Sequence, residues 1–205
     1  MQTNRGANRL LTLGGVVGPA AFVGAWALGG ATTTGYSYIN NAISDLAAVD
    51  ASARTLMTTG FVLDGIGLIA FGVALREVLD SRAWIAAVVT GASTLGVAAT
   101  PLGGWSGDTA HAAFAGLGYA TISALPLLAA APLARQGRTG WARLSVFTGA
   151  ISAAALVAST LGPAHGFWQR LGLTVGDAWI VAIALSLIAG GQILTPTASP
   201  RSSDR

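Results

Sequence analysis

Lysine and cysteine are both missing from this 205-residue chain, and charge of either sign is scarce, at 9% of residues. The lack of cysteine excludes disulfides, thiolate metal sites and thiol catalysis. A soluble domain carries about 25% charged residues, so this chain lacks the charge to cover a water-facing surface. Its 11 basic residues are all arginine, which, with abundant alanine and glycine, reflects GC-rich coding rather than function. Two sequence motifs are also absent: there is no G-x-S-x-G nucleophile elbow and no phosphate-cradling P-loop.

What is present is apolar sequence. Hydrophobic residues make up 53% of the chain and the mean hydropathy is +0.63. Several apolar runs approach the roughly 20 residues that cross a bilayer as helix. They are continuous rather than alternating, which argues against a β-barrel. The runs predict an all-α, six-transmembrane-helix bundle with spans near Leu10–Gly30, Thr55–Leu75, Ala83–Leu102, His111–Leu133, Ala142–Leu161 and Arg170–Leu194. The first run is too long for a signal-peptide core, and further spans follow it. Residues 10–194 are therefore expected to form a single membrane domain, between a cytoplasmic tail at 1–9 and a disordered cytoplasmic tail at 195–205.

The arginines set the expected orientation. Arg5, Arg9, Arg76, Arg82, Arg135, Arg138, Arg143, Arg201 and Arg205 fall on one side, and Arg54 and Arg170 on the other. Positive charge concentrates on the cytoplasmic side, so both termini are expected inside a prokaryotic plasma membrane. The sequence pI near 10.2 is accounted for by this topology, and no nucleic-acid partner is inferred from it. Gly14 with Gly18, and Gly172 with Gly176, form GxxxG pairs that allow close helix approach. They predict packing within the bundle, with a homo-oligomer as the alternative. A weak echo links "LGVAATPLGGWSG", "ALVASTLGPAHGFW" and "GGATTTGYSY" at three span exits.

Polar residues collect on the expected outer side. In the first outer loop, "NNAISDLAAVD" predicts a short interfacial helix capped by Asn40 or Asn41, with Tyr36 and Tyr38 in an aromatic belt. Asp108 reads as the N-cap of the fourth span, with His111 one turn on. Arg170 faces few cations and several acids on that side, so an ion pair with Asp45, Asp50 or Asp108 is expected. Two acids lie deeper, Asp64 within the second span and Asp177 within the sixth. An acid at mid-span is costly and usually faces the bundle interior. The alternative is a protonated carboxyl bonded to Thr59, Thr94, Thr148, Ser152 or Thr174. Together these residues define a candidate outer-face ligand site of Ser44, Asp45, Asp108, His111, His165, Gln169, Arg170 and Asp177.

"GYS" followed by "NAISDLAA", then "GDTAH", then "GFWQRLGLTVGDAW" occur in that order over nearly the whole chain. With these motifs the chain resembles the multi-pass membrane proteins catalogued as domain of unknown function family 998. The resemblance implies six helices and a multi-pass location. It implies no reaction, and so no catalytic residue. The favoured reading is a membrane protein that binds a lipid or small molecule at its outer face, in contact with membrane lipids. No cofactor or resident metal is inferred. Two alternatives stand beside it. One is a metal-dependent lipid hydrolase with zinc on His111, His165 and Asp108. The other is an accessory subunit of a membrane complex.

Overall fold

The computed structural model describes residues 5–189, and they form six α-helices and one short 3₁₀ helix, with no strand among the described residues. The helices are α1 (Arg5–Thr32), α2 (Arg54–Val78), α3 (Ala83–Ala99), α4 (Gly107–Arg135), α5 (Thr139–Leu161) and α6 (His165–Ile188). The last residues of the expected sixth span, the tail at 195–205, and Arg201 and Arg205 lie outside the described residues. Five helices are long and apolar enough to cross a membrane; α3, with 17 residues, is a shorter apolar helix. Helix satisfies every backbone group within the segment, which an apolar medium requires.

Each helix packs on its neighbour in sequence, and α6 closes back on α1, so the six form a ring. Apolar side chains fill the core and also cover much of the exterior, while a set of polar side chains is buried among the helices. Leu10, Val17, Leu28, Ile66, Phe147, Val157 and Leu161 are more than half exposed. Asp64, Thr90, Ser93, Ser123, Ser145, Thr148, Ser152, Gln169 and Asp177 are buried. Interhelical hydrogen bonds tie this polar interior together. Ser123 and Ser152 hydroxyls lie 3.0 Å apart, Ser152 donates to the Gly172 carbonyl, and the Trp179 indole donates to Ser145.

Helix α2 is held on two sides by glycine. A Cβ on Gly67 would stand 2.5 Å from the Gly14 carbonyl oxygen and 3.0 Å from Gly18 Cα. A Cβ on Gly91 would stand 2.5 Å from the Gly65 carbonyl oxygen. The α1–α2 and α2–α3 contacts are therefore backbone against backbone, which only glycine permits at these positions. The Gly14–Gly18 pair serves packing within the bundle, and Gly172 and Gly176 do the same against Leu156 and Ile122. The recurring threonines at three helix exits have one local cause. Thr33, Thr100 and Thr160 each turn the hydroxyl back onto a carbonyl three or four residues earlier.

This close packing yields a sharp contrast. Gly67→Ala forces α1 and α2 apart and should cost about 1–3 kcal/mol, as overpacking does. Gly116→Ala, with nothing within 4 Å of its would-be Cβ, should leave stability unchanged or higher. Thermal unfolding in detergent distinguishes the two, and equal melting temperatures would refute the backbone-contact account.

Candidate functional site

The segment after α1 does not lie flat on the bundle as an interfacial helix. Residues Ile43–Ala47 form a 3₁₀ helix in which Ile43, Ser44, Leu46 and Ala47 are buried. Ile43 and Leu46 insert among Phe22, Met57, Phe61 and Val97. The spacing that suggested an amphipathic surface helix instead supplies two apolar anchors for a plug. Neither asparagine caps it. Asn41 Oδ1 accepts the Ser37 N–H at 2.9 Å, while Asp45 reaches back to accept the Ala42 N–H at 3.0 Å and an amide hydrogen of Asn41.

Arg170 holds this plug in place. Its Nη1 donates to the carbonyls of Tyr38, Asn41 and Gly166 at 2.8–2.9 Å, and its Nη2 donates to the Tyr36 hydroxyl. The guanidinium carbon sits 5.3–5.4 Å from the ring centroids of Trp26, Tyr36 and Tyr38. The ion pair expected with an outer acid is not formed: Arg170 is buried and held by backbone carbonyls and aromatic faces. A flat, fork-shaped, weakly hydrated cation suits both kinds of partner. Tyr36 and Tyr38 form walls around the guanidinium. Tyr36 donates onward to the Ala42 carbonyl. Burial pushes its phenol up to about 12, against the opposing pull of Arg170.

Gln169, the adjacent residue, joins the plug to the helices. Its Oε1 accepts the Ile43 N–H at 2.8 Å, and its Nε2 donates to the Tyr119 hydroxyl on α4. Beneath this contact lies a cavity of about 50 Å³, between the plug, α1, α2, α3, α4 and α6. Its polar lining is Ser44, Asp64, Thr90, Thr94, Tyr119, Gln169 and Asp177. The two carboxylates are 4% and 3% exposed, and Asp64 Oδ1 and Asp177 Oδ2 have no hydrogen-bond partner among the described residues. Of the hydroxyls considered as partners for them, only Thr94 lines this cavity.

The eight residues of the candidate outer-face site are thus divided. Ser44, Gln169 and Asp177 meet at the cavity. Asp45 and Arg170 lock the plug. Asp108 and His111 belong to the α3–α4 turn. Asp108 accepts the Gly103 N–H at 2.9 Å, closing the turn that precedes α4 instead of capping the helix. His111 is buried and its Nδ1 donates to the Thr100 carbonyl at 2.7 Å. His165 is half-buried at the start of α6. The zinc set of His111, His165 and Asp108 is not assembled, since no three His, Cys, Asp or Glu are grouped to hold a metal among the described residues. Sequence reasoning left Asp64, Thr90, Thr94 and Tyr119 out of the site. Asp64 carried a signal, as an acid near the middle of α2. Tyr119 carried a weaker one, as a phenol well inside α4 and far from either other tyrosine.

A family model described as "Protein of unknown function (DUF998)" matches residues 16–186. The chain belongs to the DUF998 family. The match spans the DUF998 chain from the middle of α1 to the last turn of α6, so it contains the plug, the Arg170 lock and the whole cavity lining. No curated protein and no solved structure matches the chain.

The lock predicts a loop-specific response. Arg170→Lys keeps the charge but loses the fork. Hydrogen bonds to a charged group are each worth about 1.5–3 kcal/mol, so amide exchange across Ala42–Ala48 should accelerate at least about tenfold while the helices remain protected. A uniform loss of protection instead would show that Arg170 supports the bundle generally. High pH acts through Tyr36. Its folded pKa lies above the unfolded value near 10. Between pH 10 and 12 the unfolded chain therefore binds fewer protons than the folded one, and stability falls as pH rises. Tyr36→Phe should flatten that decline, read as loop exchange or melting temperature against pH.

Proposed function

We propose that this DUF998 protein is a six-span integral protein of a prokaryotic plasma membrane that binds a small polar ligand inside the bundle. Both termini are cytoplasmic in this reading, and the plug closes the ligand cavity from the outer side. The observation that carries it is a cavity between the helices lined by two buried carboxylates, each with one oxygen unpartnered among the described residues, in a bundle that exposes large apolar side chains.

Three further points support it. With 17 residues at 1.5 Å each, α3 is about 26 Å long, at the short end of what spans a bilayer. It occupies a ring position between α2 and α4, as a sixth span would. The alternation of helices places Arg76, Arg82, Arg135, Arg138 and Arg143 at the end away from the plug, and Arg54 and Arg170 at the plug end. That agrees with positive charge on the cytoplasmic side. The cavity of about 50 Å³ has space for one or two water-sized groups, so lipid belongs on the exterior and the ligand is small. Membrane lipids remain the expected contacts of the outer apolar surface.

Two measurements test this. The cysteine-free chain allows single-cysteine labelling with an impermeant maleimide. Asn40→Cys should label in intact cells, and Gly140→Cys only after permeabilisation; the reverse pattern would invert the topology. Gly118 lines the cavity, and a Cβ there meets only Ser93 Cβ at 3.6 Å, so Gly118→Leu fills the space with little backbone strain. Small polar solutes and salts that raise the melting temperature of the wild type should lose that effect in Gly118→Leu. An unchanged response would place binding outside the cavity.

A further inference from the structure

The cavity holds an imbalance of charge. Asp64 on α2 and Asp177 on α6 both line it, both are more than 95% buried, and each has one oxygen without a partner among the described residues. No arginine or histidine lines the same space. The other titratable group there is the Tyr119 phenol on α4, which accepts from Gln169. The remaining elements present neutral groups: Phe22 from α1, Ile43 and Ser44 from the plug, and Thr90, Thr94 and Val97 from α3. An isolated ion in an apolar interior is unsustainable, and an ionised carboxylate there must be paired. Since the chain supplies no cation at this point, the positive charge has to come from solution.

The size and the donors of the site narrow its chemistry. Mg²⁺ demands near-ideal octahedral geometry and dehydrates reluctantly, so it is rarely held by an all-protein cage. Ca²⁺ is usually held by several carboxylates and backbone carbonyls together, and this lining offers two carboxylates with hydroxyls and one amide. Zinc and its neighbours favour imidazole or thiolate, and neither lines the cavity. A monovalent ion that has shed most of its water fits. Thr94 uses its hydrogen on the Thr90 carbonyl, leaving its oxygen lone pairs uncommitted. Ser44 adds a second hydroxyl.

Resting on the cavity-ligand reading above, we propose that Asp64 and Asp177 form a binding site for one monovalent metal cation, exchanged one-for-one with a proton. With both carboxyls protonated the pair is neutral. When the cation enters, one carboxyl releases its proton to solution and the other keeps its own, so the site is neutral again. Both end states are therefore compatible with an apolar interior, and the exchange moves one positive charge in for each one out. The site lies two turns below Gln169, which ties the plug to the cavity wall, so exchange proceeds from the plug side.

The test uses the full chain in detergent, weakly buffered, with a pH-sensitive dye. NaCl, LiCl and KCl are titrated against choline chloride at equal ionic strength between pH 5 and 9. At least one metal cation should release about one proton per chain at saturation, a macroscopic property of the pair, and raise the melting temperature, whereas choline does neither. Asp64→Asn and Asp177→Asn should each reduce the release at least about tenfold, while Asp50→Asn, an exposed loop change, keeps it. No metal-specific release from folded wild type at any pH overturns the proposal. Stabilisation without proton release overturns the one-for-one exchange. Release that persists in the Asp64→Asn, Asp177→Asn double variant places it elsewhere. A melting temperature that depends on pH but not on the salt makes the pair a proton site alone, which also overturns it. If neutral solutes stabilise the wild type but not Gly118→Leu while cations do nothing, the cavity reading stands and this inference fails.

Discussion

The guanidinium of Arg170 is bonded to backbone, and the enclosed interior follows from that choice. Three carbonyls, two of them from the first loop, share one nitrogen, and three aromatic rings surround the carbon. A carboxylate would have neutralised the charge but held only one side chain. Carbonyls from Tyr38 and Asn41 instead fix the path of the chain just before the 3₁₀ helix. That path delivers Ile43 and Leu46 into the core and sets Ser44 over the cavity. Two backbone bonds complete the closure: Phe167 N–H to the Ile39 carbonyl, and Val49 N–H to the Leu102 carbonyl. The first loop is thereby fastened to the connections at both of its sides.

The separation of charge inside α6 has the same origin. Arg170 and Asp177 lie seven residues apart on one helix, about 10 Å along its axis. The two Nη atoms are directed at the carbonyls of Tyr38, Asn41 and Gly166 and at the Tyr36 hydroxyl rather than at Asp177. The buried cation is stabilised by carbonyl dipoles and ring faces. The buried acids are left without a protein counter-charge. An arginine that turned toward Asp177 would release the plug and quench the cavity in one movement. The two buried carboxyls and the buried guanidinium thus stand in separate surroundings.

The helices were legible in the sequence because continuous apolar runs leave few alternatives in lipid. The depth of Asp64 and Asp177 was legible for the same reason. The partner of Arg170 was not, because backbone carbonyls have no letter in a sequence; counting acids on one side suggested an ion pair that the fold does not make. The plug was misread from its pattern. Ile43 and Leu46, three residues apart, suit a helix lying on a surface as well as a 3₁₀ turn inserted into a core, and the long-range tethers from Arg170, Gln169 and Phe167 decide between them. Asp108 looked like a helix cap, but Gly107, with φ of +70°, turns the chain so that the carboxylate meets Gly103 behind it. Thr90, Thr94 and Tyr119 were invisible as a group. They sit on two helices, and each alone is an ordinary polar residue within an apolar run.

Gln169 gives this construction its mechanical character. One amide side chain accepts from the plug at Ile43 and donates to the wall at Tyr119. Asp177 stands eight residues further along the same helix, about 12 Å away. Plug, wall and floor are therefore all referenced to α6. A tilt or shift of α6 that opens the plug must also change the position of Asp177 relative to Asp64, because a packed helix moves as a rigid element. Conversely, a ligand that draws the two carboxylates together biases the position of α6 and hence of Gln169. Under the proposed ligand reading, occupancy of the cavity and closure of the plug are linked through one helix, which packs through Gly172 and Gly176 on Leu156 and Ile122.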